Sequence, residues 1–99
     1  MLTNERKEFV LSKQLLKSGT SIGANIRESQ NAESNADFIH KLSIALKEAG
    51  ELQYWLELLI ESEYLNKSEF ESINNDLSEI MKLLTSIIRT SKLKIKNKI

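Results

Sequence analysis

Apolar residues recur along this chain at the three- and four-residue steps of an α-helix. From Phe38 the series Leu42, Ala45, Ala49, Leu52, Leu56 and Leu59 alternates steps of four and three without a break, and from Phe70 so does the series Ile73, Leu77, Ile80, Leu84 and Ile87. Such spacing holds one apolar seam toward a neighbouring helix at the shallow crossing angle of a bundle. An earlier segment keeps Leu15, Leu16, Ile22 and Ile26 at helical spacing. The pattern predicts three long helices over about residues 3–31, 35–62 and 67–90. Start signals agree. Thr3 is placed to cap the first helix, with Glu5 and Glu8 near the positive end of its dipole. Ser34 followed by Asp37 resembles a capping box, and so does Asn66 followed by Glu69, where Leu65 and Phe70 are spaced as a hydrophobic staple. Short connections make successive helices antiparallel neighbours, so the fold class expected is all-α, an antiparallel up-down bundle forming one domain over residues 1–90. Residues 91–99 are basic and alternate with period two, and at a chain end they read as a frayed tail.

The second helix is apolar beyond its seam. Ile39, Leu46 and Ile60 lie on one flank, interrupted by Gln53, and Ile44, Tyr54, Trp55 and Leu58 lie on the other. A surface this wide asks for several neighbours, which means a fourth helix or a subunit interface. Tyr54, Trp55 and Leu58 are accordingly either core residues or interface anchors. In the first helix the run Ser18-Gly19-Thr20-Ser21-Ile22-Gly23-Ala24 is small. Gly19 and Gly23 share a face and would let another helix, of this chain or another subunit, approach closely; the run could also kink the helix. Continuous apolar spacing around it favours an unbroken helix. Gln14, Ser18, Ser21, Asn25 and Glu28 form a polar stripe on the same helix, read either as a solvated face or as a partly buried polar seam whose Asn25 and Glu28 meet donors from a neighbouring helix.

Composition narrows the chemistry. The 99 residues fit one domain. With no cysteine there are no disulfides, thiolate zinc sites or Cys nucleophiles, and with no proline an all-β fold with many tight turns is disfavoured. No apolar run approaches the roughly 20 residues that span a membrane, so a cytoplasmic location without membrane partners is expected. Phosphate-binding glycine loops, dinucleotide fingerprints, nucleophile triads and metal motifs are missing, and neither enzyme activity nor a cofactor or metal is expected. Asp37 and His40 have carboxylate–His spacing but fall short of a di-iron set, and Glu48 with Glu51 reads as flank charge.

The net charge of zero hides three blocks. Residues 1–32 carry five basic and three acidic side chains, residues 33–79 three basic and eleven acidic, and residues 80–99 six basic and no acidic. Two readings follow for the cations Lys13, Lys17, Arg27, Arg89, Lys92 and Lys94. They are a solvated face plus a tail suited to a helix C-terminus, or they contact phosphates of RNA or DNA, which needs only clustered positive charge. No aromatic residue is interleaved with them, so base stacking is not suggested.

The stretch from Gln14 through Gly19, Gly23 and Asn25-Ile26-Arg27-Glu28, with Asp37-Phe38-Ile39, Ile44-Ala45-Leu46-Lys47-Glu48-Ala49 and Tyr54-Trp55-Leu56, resembles the small bacterial four-helix-bundle proteins known as 23S rRNA intervening-sequence proteins. Their relatives include the accessory variability protein of diversity-generating retroelements. The resemblance covers about residues 3–90 and implies an antiparallel four-helix bundle assembling into a homo-oligomeric ring, most often a pentamer. For the retroelement relatives it also implies a basic ring surface that binds nucleic acid and a reverse transcriptase. It brings no catalytic activity and marks Asn25 and Glu28 as structural polar residues. The family has a helix before the segment that begins here at Thr3, so the three helices correspond to helices 2–4 and the first is expected to be missing, either through a misassigned start or truly absent. The function expected is a non-enzymatic self-assembling scaffold that binds nucleic acid or a protein partner through basic surfaces. The alternative is a protein-interaction adaptor that accepts a helix from a partner and binds no nucleic acid.

Overall fold

The structure, a computed structural model, describes the backbone of residues 4–97 and the side chains of residues 9–96. Three helices follow one another, α1 (Asn4–Ser29), α2 (Asn35–Glu61) and α3 (Lys67–Asn97). They run up, down and up, in a body measuring 56 × 22 × 19 Å.

Local chemistry sets the helix ends. Before α2, Ser34 is extended at φ −151° and its hydroxyl accepts from the Asp37 backbone N–H at 3.1 Å, satisfying a donor that the helix leaves orphaned. At α3 the predicted capping box forms in both directions. The Glu69 N–H donates to Asn66 Oδ1 at 2.8 Å, and the Asn66 N–H donates to Glu69 Oε1 at 3.2 Å. Between them α2 stops in a Schellman arrangement, in which the Tyr64 N–H donates to the Leu59 carbonyl at 2.9 Å and the Glu63 N–H to the Ile60 carbonyl at 3.0 Å. That geometry puts Glu63 at φ 65°, the left-handed region that costs a side chain about 1–2 kcal/mol and that glycine occupies freely. The cap expected at Thr3 lies outside the described residues. The small-residue run of α1 does not interrupt the helix.

α2 is the middle layer. α1 packs on one side of it and α3 on another, and α1 and α3 do not approach each other. The shared core is Ile22 from α1, Leu42, Ala45, Ala49 and Leu56 from α2, and Leu77, Leu84 and Ile88 from α3. Leu56 is the one large side chain among the described residues that is fully buried. Of the 4-3 seam of α2, Leu42, Ala45, Ala49 and Leu56 belong to this core, Leu59 is buried outside it, and Phe38 and Leu52 pack half-buried against it. On α3 the seam divides. Leu77 and Leu84 are buried, but Ile73 and Ile80 are each 39% exposed, and Ile88 rather than Ile87 is buried. The reason is geometric: α3 has one neighbour, α2, so the part of its stripe turned toward α1 has nothing to cover it. A polar link, Gln53 Nε2 donating to Asn74 Oδ1 at 3.2 Å, sets the α2–α3 register.

The frayed tail expected from residue 91 is corrected by the structure. α3 continues to Asn97, about one turn beyond the start of α2. The period-two alternation misled because lysines beside Leu93 and Ile95 suit a helix as well as a strand, and cations in the last turn favour the helix by complementing its dipole. Lys98 and Ile99 lie outside the described residues.

Two stability measurements follow. Leu56→Ala, which opens a cavity at the most deeply buried large side chain among the described residues, should cost about 2–5 kcal/mol in urea denaturation. Glu63→Gly should instead raise stability by up to about 1 kcal/mol, because glycine relieves the left-handed strain at the α2 C-terminus.

Candidate functional site

Because α1 and α3 run parallel, their C-terminal ends lie at the same end of the bundle. An open cavity of about 780 Å³ lies between them, lined among others by Ser29, Ser34 and Phe38 on one side and Ile87, Thr90 and Lys94 on the other. Arg27 sits exposed in the last turn of α1. Around α3 the cations divide. Lys94 faces the cavity toward α1, whereas Arg89, Lys92 and Lys96 line a separate slot of about 360 Å³ on the α2 side, with Leu46, Thr85, Ile88 and Leu93. Lys13 and Lys17 are exposed on α1, about 21 and 15 Å along its axis from Arg27. The six candidate cations therefore do not form one patch. Arg27, Arg89, Lys92 and Lys94 share an end of the bundle, and Lys13 and Lys17 extend along one side. None of the six is ion-paired with another described residue. At the opposite end, around the α2–α3 connection, stand Glu57, Glu61, Glu63, Glu69 and Glu71. Glu28, Glu33 and Asp37 also lie at the basic end, and Lys67 at the acidic one, so the charge blocks of the sequence separate along the long axis only in part.

The polar stripe of α1 lies toward α2. Ser18 is buried, Gln14, Ser21 and Asn25 are half-buried, and Glu28 is exposed. Glu28 meets a donor from α2, Lys41 Nζ at 3.0 Å. The hydrogen bond and charge of Glu28 hold the Lys41 ammonium above its ordinary value, with Asp37 adding to the effect and desolvation opposing it. A cation with a raised value contributes stability below its unfolded pKa and loses it only as pH rises through the folded one, so the pair is fully formed at neutral pH. Asn25 differs from the expectation. Its amide donates to the Ser21 carbonyl at 2.9 Å and reaches Ser21 Oγ at 3.4 Å, both within α1. Its side chain is short enough to turn back on its own helix, as such residues do when no partner is in reach. Lys41 is a residue that sequence reasoning missed. The signal was its place in the second turn of α2, opposite the end of α1 once the hairpin is antiparallel.

A second surface is the groove between α1 and α3. Ser12, Leu15, Leu16, Gly19 and Thr20 form one wall, Leu52 the floor and Ile73 the far wall of a hollow of about 470 Å³. Leu16 is 72% exposed there. A Cβ built at Gly19 or Gly23 would meet nothing within 4 Å, so within this chain neither glycine serves a close helix approach, and the intrachain part of that expectation is corrected. The cause is again that α1 has only α2 as a neighbour. Tyr54 is exposed at 55% and packs edge-on against Trp55, with ring centroids 5.2 Å apart; Trp55 and Leu58 are half-buried. The aromatic pair is thus at the surface of α2 and not in the core.

His40 is exposed, and among the described residues no three His, Asp or Glu side chains gather as a metal site. Every buried side-chain polar atom among them has a hydrogen-bond partner. Among the described residues no helix is long and apolar enough to cross a membrane.

Comparison with known proteins adds identity of type. A family model described as 23S rRNA-intervening sequence protein matches residues 2–86. A crystal structure at 1.70 Å resolution of a protein of unknown function from the S23 ribosomal protein family of Bacteroides thetaiotaomicron is similar, with 69% sequence identity and a TM-score of 0.81. The match covers 87% of this chain and 77% of that one. Among curated proteins none matches. A bundle of three long helices with this seam, matched by the family model over most of its length, belongs to the 23S rRNA-intervening sequence protein family.

Proposed function

We propose that this chain is a non-enzymatic, self-assembling helical-bundle scaffold that binds nucleic acid through the basic end of the bundle. The observation that carries the reading is the gathering of Arg27, Arg89, Lys92 and Lys94 where α1 and α3 end, unpaired by the carboxylates among the described residues. Cations so placed neutralise phosphates without reading sequence, and their counterion release makes affinity steeply salt-dependent. Lys13 and Lys17 would extend the contact along α1. The uncovered groove supports the assembly half of the proposal. Leu16, Ile73 and Ile80 expose apolar surface that a subunit interface would bury, and in a ring the basic end would repeat and gain by avidity. A pentamer is the ring that the family resemblance implies.

The second reading is an adaptor that accepts a partner's helix and binds no nucleic acid. The same groove favours it, because a strip running beside Leu16, Leu52 and Ile73 has the shape a helix fills.

Two measurements check the proposal. Binding of labelled single-stranded RNA and duplex DNA should weaken linearly in log–log salt plots, and the triple change Arg89→Glu, Lys92→Glu, Lys94→Glu should lower affinity at least about tenfold and flatten the salt slope by roughly 2–3. Salt-independent binding or none would remove the nucleic-acid reading in favour of the adaptor. In light scattering the chain should exceed the mass of one copy, and Leu16→Glu should reduce it; a wild-type monomer contradicts self-assembly.

A further inference from the structure

The slot on the outer side of α2 and α3 has a composition that phosphate binding does not use. Its lining is Leu46 from α2 and Thr85, Ile88, Arg89, Lys92, Leu93 and Lys96 from α3. Three of the seven are cations, three are aliphatic and none is acidic. Cations in the last turns of α3 complement its dipole whatever else they do. That effect gives no reason for the aliphatic surface beside them, where Leu93 is left 53% exposed. The slot runs from Thr85 to Lys96, about three helical turns or 16 Å.

We infer that this slot is a docking surface for an acidic amphipathic helix of a protein partner. Three features select that occupant. The surface is a concave strip between two helices, which a third helix fills by lying along it. Arg89, Lys92 and Lys96 step by three and four residues on one face, a ladder that carboxylates at the same steps on a facing helix can meet. The aliphatic groups of Leu46 and Leu93, over the buried Ile88, then take the partner's leucines. A nucleic-acid backbone gains nothing from those three side chains. The inference goes beyond nucleic-acid binding and constrains it. Arg89 and Lys92 belong to both surfaces, so the two ligands exclude one another at this end of the bundle, while Lys94, on the other side of α3, serves phosphate alone.

The test uses the full chain and a labelled peptide of about four helical turns, with leucines at i, i+3, i+4 and i+7 flanked by a row of glutamates. Fluorescence anisotropy should show saturable binding, weakened about tenfold when the glutamates become glutamines and about tenfold by Leu93→Ser. Leu93 is exposed, so its replacement should leave the thermal melt unchanged, and RNA affinity should also be unchanged. Excess RNA should displace the peptide. No peptide binding, or binding indifferent to Leu93→Ser, overturns the inference while leaving the nucleic-acid reading intact. Leu93-dependent capture of the chain by vesicles of anionic phospholipid without peptide binding assigns the surface to lipid and also overturns it. Absence of RNA binding alongside Leu93-dependent peptide binding overturns the nucleic-acid reading and keeps this one.

Discussion

Everything in this molecule depends on the burial of α2. α1 and α3 touch α2 and not each other, so the contacts of Leu42, Ala45, Ala49 and Leu56 are what join the three helices into one body. Alanines at two of these positions leave room for the neighbouring helices to come close to α2, and Leu56 is buried completely among them. Each buried aliphatic side chain contributes roughly 1.5–3 kcal/mol, and such contributions must exceed the ordering entropy of three long helices. The same constraint leaves a cost. Helices that share one neighbour cannot cover their own far stripes, and Leu16, Ile73 and Ile80 are the uncovered remainder.

That arrangement also decides the electrostatics. The caps at Ser34 and Asn66 and the Schellman turn at Glu63 hold both connections short, which makes α1 and α3 parallel. Their C-terminal ends lie on the same side for that reason alone, and with them Arg27, Arg89, Lys92, Lys94 and Lys96. The acids of the α2–α3 connection are carried to the other end of a 56 Å body. Charges that cancel in the composition are therefore partly sorted along a body several Debye lengths long, with the excess of cations at one end and of carboxylates at the other.

Most of the fold was legible in the sequence because it rests on local signals. The 4-3 apolar steps placed α2 and α3, and the Asn66–Glu69 box formed as its spacing indicated. The C-terminal tail was not legible. Its alternation of lysine with Leu93 and Ile95 satisfies two periods, and the choice falls to backbone hydrogen bonding and dipole complementarity along a helix already under way. Which half of the α3 seam would be wet was also hidden, since burial of Ile73 depends on a neighbour and not on its own spacing. For the site, residue types were legible and their grouping was not. Glu28 was visible as a polar residue in need of a donor, but Lys41 became its partner only through the antiparallel register. The split of the α3 cations between two faces likewise depends on the helix extending past residue 91.

Mapping where a polyanion docks tests the central claim most directly. Amide hydrogen exchange of the assembled chain with and without a saturating single-stranded RNA should show protection concentrated in residues 85–96 and in the last turns of α1 around Arg27, with the α2–α3 connection unchanged. Protection around Glu57, Glu61 and Glu69, or none anywhere, would contradict the account.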